Sequence, residues 1–272
     1  MPAIYLARLK HQTANLVNLL ENPSEFIHEL HGLLDLYSDR THRPGQSGEP
    51  PPLLQTYKVP KPVLRQVIIE LTPPVKSNPA AAMQLVEALW AEPYLEIRTL
   101  AAMTLGIIPS KSPEAVLNIV QTWVAPDIDE QLMDTVLDLG LANIRSEYPD
   151  ILLQRIELWL DQPDEFSRLV GLRALIPFLA SPVYDNFPVF FLLLSPFARK
   201  APLSLRPDIL ETFRTLALRS PKETAYFLHQ NLEAPENPDT AMLIRQCLPS
   251  FPQELRESLQ SALREAPAEK HV

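Results

Sequence analysis

Three groups of residues in this chain have types and spacings that could support chemistry. Glu130, Asp134 and Asp138 recur at every fourth position, so a helix would set three carboxylates along one side. An ionised carboxylate on such a face can stabilise positive charge developing at a reacting centre without moving a proton. The same row also reads as a solvated acidic face, which is common on exposed helices. Lys58, Lys61 and Arg65 gather beside Tyr57. Basic and aromatic groups together can dock a nucleic acid, although three charges at a helix start also read as plain solvated surface. Arg98 and Arg168 open the apolar segments IRTLAAMTLGII and SRLVGLRALIPFL. An arginine there can bind a phosphate, or bond to a carbonyl or carboxylate of the adjacent turn.

Other candidates point away from metal and cofactor chemistry. His28 and His31 stand three apart with Asp35 one turn on. A metal needs three or four converging ligands with second-shell support, and no cysteine or further histidine lies close in sequence, so no metal is expected. The chain has no phosphate-cradling glycine loop, nucleophile elbow or zincin pattern, and no cofactor is expected. The single cysteine, Cys247, has no intrachain partner and reads as a small buried apolar residue. It fits a reducing, cytoplasmic location. The N-terminal MPAIYLARLKHQTANL reads as an amphipathic helix without a signal-peptide cleavage pattern. The oily run FPVFFLLL at 187–194 is too short to span a bilayer and reads as a core helix, so no membrane association is expected. The net charge of −9 counts against a protein held to DNA through phosphates over its whole surface, but a local basic stripe can act within an acidic shell.

The elements that must position these residues are helices. Glycine is scarce, at 6 of 272 residues, and proline abundant, at 29, which suits many short helices better than sheet turns. Apolar residues recur at helical spacing almost throughout: Ile97, Leu100, Ala101, Thr104, Leu105 and Ile108 form one stripe, and Met133, Val136, Leu137, Gly140, Leu141 and Ile144 another. Polar-proline pairs such as Asn22-Pro23, Asn78-Pro79, Ser112-Pro113, Gln162-Pro163 and Ser220-Pro221 precede these runs and predict capped helix starts. The spacing predicts helices near 3–21, 24–38, 61–71, 79–91, 94–108, 113–124, 128–146, 149–161, 164–179, 187–199, 206–219, 221–233, 238–248 and 252–265. Paired with a period of roughly 35–45 residues, they predict an all-α, HEAT-like helical-repeat solenoid of about six or seven antiparallel helix pairs. The expected organisation is one domain over 1–266, with an irregular loop at about 42–60 and a frayed tail at 267–272.

Three stretches carry a family resemblance. TYKVPKPVLRQVIIEL (56–71), LVEALWAEPYLEIRTLAAMTLG (85–106) and YPDILLQRIELWLDQPDEFSRLVGLRAL (148–175) resemble the bacterial alkylpurine DNA glycosylases built of HEAT-like repeats, the AlkD-like or DNA alkylation repair family. The likeness spans roughly 15–232. It implies a concave face that holds duplex DNA, a carboxylate that stabilises an oxocarbenium-like sugar as a cationic alkylated purine leaves, tryptophans against the deoxyribose, and an arginine on the backbone. The base stays in the helix, unlike in base-flipping glycosylases. Carried over, the carboxylate falls on Asp134 and the arginine on Arg168, with a one-residue gap absorbed by the preceding turn. The tryptophan pair falls near Asp129 and Glu130, and the downstream tryptophan near Glu211, all acidic here. The resemblance therefore implies a divergent, duplex-DNA-binding relative with weakened or lost glycosylase activity, Asp134 as its catalytic residue and Arg168 on DNA; the basic cluster of Lys58, Lys61 and Arg65 is the further expected DNA contact. The alternative is a non-enzymatic HEAT-repeat scaffold that binds a protein partner in its concave groove.

Overall fold

A computed structural model describes residues 6–39, 54–109, 111–181, 184–234 and 237–265. Part of the expected loop at 42–60 and the expected tail at 267–272 lie outside them. Among the described residues there are helices and turns but no strand, only one isolated bridge between Gln55 and Tyr94.

The chain divides into two compact units, Met1–Ile151 and Leu152–Val272. The first contains α1 (Leu6–Val17), α2 (Pro23–Tyr37), α3 (Lys61–Ser77), α4 (Pro79–Ala91), α5 (Leu95–Leu105), α6 (Pro113–Trp123), α7 (Glu130–Thr135) and α8 (Ala142–Glu147). A π turn, Val136–Gly140, joins α7 to α8. Helices α1, α3, α5 and α7 pack in succession as one layer, and α2 and α4 form a second layer against it. Helix α9 (Pro149–Leu160) runs into the second unit, followed by α10 (Glu165–Ala180), α11 (Phe187–Arg199), α12 (Arg206–Arg219), α13 (Pro221–Glu233), α14 (Thr240–Cys247) and α15 (Gln253–Glu265). There α10, α12 and α14 form one layer, and α11, α13 and α15 the other. This is the expected all-α, helical-repeat class.

The stripes read from the sequence are the buried ones. Ile97, Leu100, Ala101 and Thr104 in α5 are fully buried, as are Leu132, Val136 and Leu141 around the π turn. Burial of such a stripe, at about 25 cal/mol per Å² of apolar surface, is what holds neighbouring layers together.

Local departures have identifiable causes. Helix α3 continues past the predicted end at 71 to Ser77, through Pro73 and Pro74. Val63, Val67, Leu71 and Val75 stand four apart and are all fully buried, so the continuing apolar stripe outweighs the lost backbone bonds. The predicted helix at 128–146 is interrupted by the π turn, whose Leu139 carbonyl packs against Gly106. Of the predicted caps, Asn78 accepts from the Ala81 N–H at 3.2 Å. Asn22, Ser112 and Ser220 make no such bond. Asn22 and Ser220 instead donate to Glu25 and Glu223 in the first turn. Helix α10 starts after Pro163, capped by Asp164. The oily segment of α11 buries Phe190 and Leu194 but exposes Leu192, because a helix in a two-layer array packs along one face only. No helix among the described residues is long and apolar enough to cross a membrane.

Candidate functional site

The segment before α3 is sewn onto the α4–α5 turn by backbone and side-chain groups far away in sequence. The Gln55 N–H donates to the Pro93 carbonyl at 3.0 Å, and the Leu95 N–H donates to the Gln55 carbonyl at 2.9 Å. Glu96, in the first turn of α5, is buried. Its carboxylate accepts the Thr56 hydroxyl at 2.7 Å, the Tyr57 N–H at 3.1 Å and the Lys58 N–H at 2.7 Å. Three donors compensate the desolvation of a buried carboxylate, and together they set the path of residues 56–58. Lys58 takes a left-handed conformation there, with φ 53°.

A second set of contacts holds the same segment from the side of α2. His31 Nδ1 lies 2.6 Å from the Tyr57 hydroxyl, and His31 Nε2 lies 3.0 Å from a Glu92 carboxylate oxygen. An ionised carboxylate only accepts, so His31 meets Glu92 with a proton on Nε2, while the Tyr57 hydroxyl can donate to or accept from Nδ1. Tyr57 stacks on Tyr94 with ring centroids 4.7 Å apart. Burial, and then the neighbouring Tyr94, push the Tyr57 phenol up to about 12, so it stays protonated at neutral pH.

This framework presents the predicted basic residues. Lys58, Lys61 and Arg65 are all exposed, and Lys61 and Arg65 lie one turn apart on α3. Among the described residues, none of the three cationic heads has an ion-pair partner.

Asp134 is exposed on α7, between Glu130 and Asp138, which are also exposed. Asp138 pairs with Arg145 at 3.2 Å. The flanking acidic residues have local structural roles. Asp129 caps α7 by accepting the Leu132 N–H at 3.1 Å, and Glu211 lies 3.7 Å from Arg214 one turn along α12. Helix α5 packs against both α3 and α7, so the basic edge and Asp134 belong to the same layer of the first unit.

Arg98 and Arg168 repeat one arrangement. Arg98 Nε donates to the Glu92 carbonyl at 2.8 Å, and Arg168 Nε donates to the Gln162 carbonyl at 2.7 Å. In each case the acceptor precedes a proline and lies six residues upstream. Each arginine thus staples its own inter-helix turn. Arg98 also lies 5.3 Å from the centroid of Trp90, which stacks on Trp123 at 4.0 Å. Trp123 and Trp159 are buried, and Trp90 is half-buried under the arginine. Arg168, in the second unit, borders a cleft of about 560 Å³ with Glu157, Asp161, Leu192, Phe197 and Lys200.

Sequence reasoning passed over Glu96 and Glu92. Glu96 in the first turn of α5 and Glu92 just after α4 stand at ordinary places for a glutamate, and only their partners from residues 56–58 and 31 distinguish them.

The family model described as DNA alkylation repair enzyme matches residues 54–241. That span holds the basic edge, the Glu96-bound turn, Asp134 and Arg168. No curated protein and no solved structure matches the chain. With the matched span covering well over half of its length, the chain belongs to the DNA alkylation repair enzyme family.

Proposed function

We propose that this protein binds duplex DNA as a divergent member of its family, with alkylpurine glycosylase activity weakened or lost. The observation that carries the reading is the exposed edge of Lys58, Lys61 and Arg65. Three cations without carboxylate partners among the described residues, within a chain of net charge −9, form a local positive strip suited to phosphates.

The chemistry that remains would rest on Asp134. A cationic alkylated purine is already a good leaving group, so no general acid has to protonate it. The barrier then depends on stabilising the positive charge that develops on the sugar, which an ionised carboxylate can do. Asp129 and Glu130 stand where the resemblance places sugar-contacting tryptophans. Their negative charge would repel phosphates, and their side chains offer no flat apolar surface to the deoxyribose. Arg168, engaged through Nε, keeps its two terminal nitrogens for a backbone phosphate.

Two measurements test this reading. A titration with undamaged duplex DNA over a range of salt should show affinity falling steeply as salt rises. Base release from duplex DNA carrying a cationic alkylated purine should be weak or absent. Salt-insensitive or undetectable DNA binding would overturn the reading.

The second reading, a scaffold for a protein partner, draws on the cleft beside Arg168. Its wall carries Leu192, exposed at 72 %, next to the carboxylates Glu157 and Asp161. Exposed apolar surface rimmed by charge is characteristic of protein contacts. Saturable binding of a protein partner that duplex DNA does not displace would favour it.

A further inference from the structure

Lys58 occupies a backbone conformation that disfavours its own side-chain type. Its φ of 53° lies in the left-handed region, where a Cβ crowds the following carbonyl and glycine is the natural occupant. Among the described residues it is the one non-glycine residue with positive φ.

The turn itself does not require lysine. What holds it is the Glu96 carboxylate, which accepts the Lys58 and Tyr57 backbone N–H groups and the Thr56 hydroxyl. Glycine would offer the same N–H with less strain. The Lys58 side chain makes no ion pair among the described residues and is exposed. A strained position occupied by an exposed side chain that makes no ion pair or hydrogen bond among the described residues points to a role outside the fold. Lys61 and Arg65, likewise exposed and without carboxylate partners, follow in the same segment, and the first turn of α3 contains no acidic residue to neutralise them.

We propose that Lys58 is an anchoring cation for a phosphate of bound duplex DNA, and that Glu96 is its positioning residue. This inference rests on the DNA-binding reading above. The carboxylate is buried and occupied by three donors, so it fixes where the ammonium group is presented without forming a salt bridge to it.

The test compares salt-dependent binding of a short, undamaged duplex by the full-length protein and its variants, with folding checked by circular dichroism. Lys58→Gly keeps a residue that suits the left-handed turn and removes the ammonium. The slope of log affinity against log salt should fall in magnitude by about one, the change expected for one lost phosphate contact. Glu96→Gln leaves Lys58 in place but sets an amide N–H₂ against at least one of the three donors, so the turn relaxes. It should lose the same one unit of slope, and the double variant should lose no more than either single one.

An unchanged slope for Lys58→Gly, in a protein whose unmodified form binds with steep salt dependence, would remove Lys58 as an anchor and leave the DNA-binding reading standing. A reduced slope for Lys58→Gly with an unchanged slope for Glu96→Gln would remove Glu96 as its positioning residue, as would full additivity in the double variant. Absence of DNA binding by the unmodified protein would overturn both proposals. Should Glu96→Gln fail to fold, Thr56→Val removes one hydrogen bond to the same carboxylate. It is then expected to reduce the slope in part, and no reduction would count against the positioning role.

Discussion

The Gly106 α-carbon, at the C-terminal end of α5, packs directly against the Leu139 carbonyl in the π turn. A Cβ on Gly106 would overlap that oxygen and lie 2.9 Å from the carbonyl carbon. The φ and ψ of Gly106, −69° and −9°, are open to any residue, so space and not backbone freedom requires glycine here. Because the obstacle is backbone, it cannot rotate aside. Gly106→Ala is expected to destabilise the protein by about 3 kcal/mol. Gly32→Ala, in α2 with nothing within 4 Å of the added Cβ, is expected instead to stabilise by about 0.5–1 kcal/mol through helix propensity. Denaturant unfolding of both variants checks the pair. Equal stability of Gly106→Ala and the unmodified protein would show that the π turn does not press on α5.

Acid should weaken the start of α10 through Asp164. The Ser167 backbone N–H donated to its carboxylate at 2.7 Å is the main reason its pKa lies below the ordinary value of 3.8. A carboxyl depressed in the folded state stabilises the fold above its unfolded value, and that contribution disappears as pH falls through the lower, folded value. Asp164→Asn can still cap the helix but does not titrate. It should match the unmodified protein closely at neutral pH and show a shallower loss of melting temperature on acidification. An identical acid limb in both proteins would take Asp164 out of the linkage.

Cys247 should resist thiol reagents in the native protein. Its side chain is fully buried, and burial pushes the thiol up to about 12, so the reactive thiolate is scarce at neutral pH. Modification should therefore wait for opening of α14 and accelerate sharply through the denaturant transition. Rapid labelling under native conditions would contradict this burial.

Asp134→Asn separates charge from shape on the proposed catalytic helix. If the unmodified protein releases alkylated purines, the variant should be slower by roughly 100-fold or more, as for other groups that act through charge. Stability should change little, because Asp134 is exposed. Equal release by the two proteins would exclude Asp134 from the reaction. No release by either would leave DNA binding as the function to pursue.

Helix positions and their buried faces were legible in the sequence, because helical periodicity is a local property. Val63, Val67 and Leu71 announce the buried side of α3, and Ile97, Leu100, Ala101 and Thr104 that of α5, whatever packs against them. The basic edge was equally legible, since Lys58, Lys61 and Arg65 lie within one short segment. The ends of elements were less so. Whether Pro73 and Pro74 end α3 depends on whether Val75 finds a core to enter.

The residues that organise the candidate site were a matter for tertiary structure. Glu96 meets Thr56 and Lys58 across 40 and 38 residues, and Glu92 meets His31 across 61. Nothing local separates such glutamates from solvated ones. The sequence by itself determined an all-α chain of paired helices, their apolar stripes and a local cluster of positive charge. Only the tertiary structure decided that a buried carboxylate holds Lys58 in a left-handed turn, that Arg168 staples its own turn, and that Gly106 must lack a side chain. Each of these depends on which groups lose water together, and that is settled when distant segments pack.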